Sequence, residues 1–169
     1  SNVTNMNWMF SGCSNLTSLN VSHFNTENVG SFPFDMDSMF KGCKSLTELD
    51  LSNFNTFKVT NMAEMFEGCS NLTSLNISNF NTINVEYTSN MFKGCSNLTS
   101  LDVSTFKTYR VDQMISMFEG CSSLTILDLS SFRDARYKTN MFKDCINLKT
   151  IYATDFSYYS PYSTDMFIN

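Results

Sequence analysis

The chain has 169 residues, 42% apolar and only 16% charged, with a formal net charge of −5 at pH 7. The apolar share excludes a chain disordered by composition, the acidic balance excludes non-specific nucleic-acid binding, and no apolar run is long enough for a membrane span. One histidine argues against a His-based metal centre or His-driven catalysis, so no metal, no cofactor and no enzymatic activity are expected.

Taken in chain order, the sequence repeats. Met-Phe recurs at Met9, Met39, Met65, Met91, Met117, Met141 and Met166, in steps of 30, 26, 26, 26, 24 and 25 residues. Four residues after each of the first six comes Cys13, Cys43, Cys69, Cys95, Cys121 or Cys145. Leucine follows three residues on, from Leu16 to Leu148, and an LxL-type pair and a phenylalanine close the motif MFxGCxxLTxLxLSxF. All 11 Met fall on the motif or three residues before it, and only Phe32, Phe34 and Phe57 of the 16 Phe lie outside it. The start, SNVTNMNWMF, lacks the charged-then-apolar pattern of a signal peptide.

Each unit has a physical reading. LTSLNV-type segments alternate apolar and polar, which predicts short strands that join in parallel between units. In TNMAEMFEGC, Met62, Met65 and Phe66 share one face at helical spacing, with Thr60 or Asn61 as cap and Gly68 as stop, which predicts one or two helical or 3₁₀ turns. The expected fold is an α/β solenoid of the leucine-rich-repeat kind: about six stacked coils of 24–30 residues, with a parallel β-sheet on one face and short helical turns on the other. It occupies residues 1–169 as one unit. Neither end carries a polar capping coil, so a segment of a longer array is expected.

The stretch MFEGCSNLTSLNISNFNTINV, Met65–Val85, resembles the BspA-like (Treponema-type) leucine-rich repeat, and the likeness runs over essentially the whole chain. It implies a non-enzymatic extracellular or cell-surface module for recognition and adhesion, with a protein or glycan partner on another cell or particle. The alternative is a structural subunit that assembles through its ends or edge, self-association through uncapped ends included.

One cysteine per coil makes a column of thiols pointing the same way, so free buried thiols are favoured over stacked disulfides or a metal site. On the outward strand face, the column Asn20, Asp50, Asn76, Asp102, Asp128, Tyr152 is partly acidic. Asp50, Asp102, Asp128 and Tyr152 are weaker binding candidates, the alternative being a solvated polar face. The segment after each SxF is not dictated by the repeat. There Phe57, Ile83 and Tyr109 occupy one position of consecutive coils, with Lys58, Arg110 and Arg136 beside them. Aromatic residues with arginine are the make-up of protein-binding hot spots. The alternative is that these side chains fold back over the edge. Phe32 and Phe34 lie in a four-residue insertion, a candidate binding loop, and Tyr158, Tyr159 and Tyr162 form a terminal tyrosine cluster. The Asn-x-Ser/Thr sequons are products of the repeat and say little about glycosylation.

Overall fold

The computed structural model describes residues 3–30, 34–155 and 166. Units are counted here from three residues before each Met-Phe, at positions 6, 36, 62, 88, 114 and 138.

Each unit opens with overlapping turns, not a helix. In the third unit, Met65, Glu67, Cys69 and Leu72 donate their amides three residues back, to the carbonyls of Met62, Glu64, Phe66 and Cys69. The amides of Met62, Glu64, Phe66 and Gly68 donate instead to Tyr87, the last residue before the next unit, and to Ser89, Met91 and Lys93 within it, at 2.7–3.0 Å. A helix would send all of them four residues back. Glu64 prevents this with φ of 58°, as do Trp8, Ser38, Asn90, Ser116 and Asn140 at the same place in their units, with φ of 53–59°. A left-handed residue costs a non-glycine roughly 1–2 kcal/mol and stops a right-handed helix. Alternate amides are thereby turned toward the neighbouring unit, which repays that cost in hydrogen bonds.

The α/β solenoid of leucine-rich-repeat type is therefore not the architecture of this chain. Among the described residues there is no helix, and most of the backbone is turn and loop. The continuous parallel sheet is also absent. Strands β1 (Glu48–Asp50) and β2 (Ser74–Asn76) pair in parallel, as do β3 (Ile126–Asp128) and β4 (Thr150–Tyr152), but the two sheets are separate. Turns fix both flanks of each LxL segment, as where Leu46 donates to Cys43 and Phe54 to Leu51. Three residues remain for each ladder, and residues 100–102 take no part in it. Single parallel bridges link Asn61 to Tyr87, Gln113 and Tyr137 in turn.

The units stack through side chains. One apolar cluster runs from Met6 to Met166. Within it Phe10, Phe40, Phe66, Phe92, Phe118 and Phe142 stack with ring centroids 5.5–5.8 Å apart and planes within 10°. All six cysteines are free thiols. Cys43, Cys69, Cys95, Cys121 and Cys145 each donate the thiol to a phenylalanine carbonyl of the unit before, at 3.0–3.2 Å. Burial pushes the Cys43 and Cys145 thiols up to about 11 and Cys69 to about 12, and raises Cys95 and Cys121 as well.

Buried threonines clasp the far side of the units. The Thr56 hydroxyl donates to the Asn81 carbonyl at 3.0 Å and accepts the Asn81 amide at 2.7 Å. Thr26 with Asn55, Thr82 with Lys107 and Thr108 with Arg133 do the same. The fifth unit is shorter after its last phenylalanine and has Asp134 in this stretch. There Lys138, fully buried, stands at the place of Met36, Met62 and Met114 and bonds Asp134 at 2.6 Å and the Ala135 carbonyl at 2.9 Å.

Candidate functional site

Two columns of asparagine and aspartate organise the surface. On the strand face, Asp50, Asp102 and Asp128 accept the amides of Ser52, Ser104 and Ser130 at 2.9 Å, two residues on. Asn20 and Asn76 bond Ser22 and Ser78 in the same way. These bonds from the serine two residues on hold the carboxyls of Asp50, Asp102 and Asp128 below the usual range. The acidic stripe thus closes each strand into its turn, an Asx-turn role that asparagine fills equally well. Tyr152 breaks the column and stands 55% exposed next to Asp128, its strand partner. Among the described residues no group of three His, Cys, Asp or Glu comes together to hold a metal ion.

The second column follows the last phenylalanine of the motif. Asn25, Asn55 and Asn81 accept the amides of Glu27, Phe57 and Ile83 at 3.0–3.2 Å. The asparagines lock the turn, and the threonine clasps bring successive turns alongside one another. Phe57, Ile83 and Tyr109 therefore fall in register at 53%, 42% and 59% exposure. The phenylalanines of the motif in the same units, by contrast, are buried. Asn84 reinforces the register by donating to the Phe57 carbonyl at 2.7 Å.

The charged residues of the edge divide by unit. Lys58 reaches Asn28 at 3.4 Å, and Arg110 pairs with Glu86 at 2.9 Å. Arg136 lies apart from these two. The shortened fifth unit puts Ala135, 3% exposed, with the buried valines Val59, Val85 and Val111, so Arg136 stands opposite Asp112 at 3.7 Å and over the Tyr137 ring. In the insertion, Phe34 is exposed, while Phe32 lies outside the described residues, as does the terminal tyrosine cluster. Asp35 anchors the loop: buried, it accepts the amides of Met36, Thr60 and Asn61 at 2.9–3.1 Å. Gly30 admits the loop because a Cβ there would lie 2.2 Å from the Lys58 carbonyl.

Sequence reasoning missed Lys107 and Arg133. They occupy the position of Asn25, Asn55 and Asn81 in the fourth and fifth units, where their side chains cannot lock the turn as asparagine does. Counting one residue on from each motif phenylalanine would have found them. Arg133 bonds Asp155 at 2.8 Å and lies over the Tyr109 ring at 5.5 Å.

The fold and edge together define a turn-built repeat scaffold with a partly exposed aromatic and basic column. The chain belongs to the family described as "Mycoplasma protein of unknown function, DUF285", matched over residues 1–75 and 34–157. No curated protein matches it. Among solved structures it is similar to a leucine-rich repeat protein of T. pallidum, at 17% identity over 70% of this chain and 64% of that one, with a TM-score of 0.43. It is also similar to a leucine-rich cell surface protein of Faecalibacterium prausnitzii A2-165, at 13% identity over 94% of this chain and 71% of that one, with a TM-score of 0.27. The chain thus spans less than two thirds of the T. pallidum protein.

Likeness at this level is too distant to establish a leucine-rich repeat, and the absence of helices and the broken sheet among the described residues speak against one. The expected BspA-like membership is corrected accordingly. So are the functions hung on that architecture, the leucine-rich-repeat adhesion module and its alternative of a solenoid subunit in a particle or filament. Among the described residues no helix is long and apolar enough to cross a membrane.

Proposed function

We propose that the chain acts without catalysis, by binding a protein partner along the edge column Phe57, Ile83 and Tyr109, with Lys58 and Arg110 as its charged surround. The observation that carries this reading is the partial exposure, in one register, of three large apolar side chains on consecutive units whose motif phenylalanines are buried. Exposed aromatics flanked by arginine on a rigid support make large contacts at small entropic cost. A partner carried by another cell or particle, met outside the cell or at its surface, completes the reading.

A displayed random-peptide library selected on the chain tests it. Selected peptides are expected to lose about tenfold or more in affinity for the F57S/I83S/Y109S variant, as hot-spot truncations do. Equal affinity for both proteins would overturn the edge assignment. Fractionation of the native cells tests the location: recovery in the cytosol alone would contradict it.

A further inference from the structure

Resting on the edge reading, we propose that the partner segment is acidic, and that Lys107 and Arg133 with Tyr109 form the anchor for one of its carboxylates. Side chains of the fourth to sixth units enclose a cleft of about 390 Å³, lined by Lys107, Tyr109, Ser130, Arg133, Thr154 and Asp155. The cleft sits where the repeat changes its chemistry. In the first three units the equivalent position is an asparagine whose side chain is consumed by its own turn. In the fourth and fifth units the turn amide loses that cap and a cationic side chain is gained. The threonine clasps persist at both positions, so the backbone support is kept.

The charge balance then selects the ligand. Among the described residues Lys107 forms no ion pair, and the one carboxylate lining the cleft, Asp155, is shared with Arg133. Two cations against one anion leave the cleft positive on a chain whose net charge is −5. The Arg133–Asp155 pair is exposed at 59% and 48%, so it is worth little and exchanges readily with an incoming carboxylate. A guanidinium presents parallel donors to a carboxylate, and Tyr109 holds this one from beneath. Tyr109 is also the last member of the exposed apolar column. An extended segment can therefore set apolar side chains on Phe57 and Ile83 and place its acid in the cleft.

The test uses a fluorescein-labelled peptide of alternating Phe and Glu, its Phe and Gln counterpart, and the whole chain, with binding followed by anisotropy at low salt. The decisive variant is K107N/R133N. It restores the residue that the first three units carry, so it is expected to unfold at the same denaturant concentration as the parent or a higher one. The parent is expected to bind the Glu peptide about tenfold more tightly than the Gln peptide, and the variant to bind both alike. Equal binding of both peptides by the parent overturns the anchor, and so does binding of neither. A preference retained in the variant overturns it too, by placing the responsible cations elsewhere. If both peptides bind the parent equally and both weaken on F57S/I83S, the edge reading stands while the acidic anchor falls. If neither substitution set changes binding, both readings fall.

Discussion

The middle of the stack and its fifth unit solve the same problem with opposite chemistry. From the first unit to the fifth, neutral threonines clasp successive units, and methionine fills the inner column at Met36, Met62 and Met114. In the fifth unit the shortened turn carries Asp134 where the other units carry the clasping threonine, and the buried Lys138 that opens the sixth unit bonds this partly exposed aspartate. A threonine clasp costs little to desolvate because both of its bonds are made to one backbone residue. A buried ammonium must be matched by its partners or it destabilises the fold. The contrast teaches that where aspartate replaces the clasping threonine, the adjacent column position changes with it, from methionine to lysine.

The contrast can be broken most severely at the charged corner. Asp134→Ala removes the carboxylate that the buried Lys138 ammonium bonds at 2.6 Å, and about 3 kcal/mol of stability is expected to be lost in urea unfolding. Thr82→Val strands the Lys107 amide and carbonyl in the neutral region, an expected loss of about 1–3 kcal/mol in the same assay. Lys138→Met sharpens the comparison from the other side. It restores the methionine column and frees Asp134, 30% exposed, to be solvated, so stability is expected to be unchanged or to rise by about 1–4 kcal/mol.

The thiol column adds a dependence on pH. The five buried thiols have folded values raised above the ordinary 9.0 by burial. Below 9.0 both states keep their protons and no stability is lost. As pH rises through 9.0 toward about 11–12, the unfolded chain releases protons that the folded chain retains, so stability falls. Cys95→Ala is expected to flatten this fall relative to the parent. At neutral pH a thiol reagent is expected to label Cys13, which is exposed, and to reach the other five only after unfolding.

The interior was legible in the sequence because stacking repeats one environment per unit, so Met65, Phe66, Cys69 and Leu72 each recur where the same neighbours recur. The helix was not, because apolar residues at Met62, Met65 and Phe66 suit a chain of turns as well as a helical face. Only the backbone shows the left-handed Glu64. The threonines were unremarkable as letters, since their role lies in a bond to a residue 25 or 29 positions away. At the edge, Phe57, Ile83 and Tyr109 were legible as departures from the motif. Counting from the phenylalanine puts Arg136 in register with Lys58 and Arg110, and the short fifth unit shifts it beside Asp112 instead.

Denaturant unfolding of the F57S/I83S/Y109S variant tests most directly whether interior and edge are separable. With the three side chains serving a partner, the unfolding free energy is expected to stay within about 0.5 kcal/mol of the parent, as surface substitutions do. A loss comparable to that of Thr82→Val would contradict this, and would show that these side chains cover the stack and hold it together.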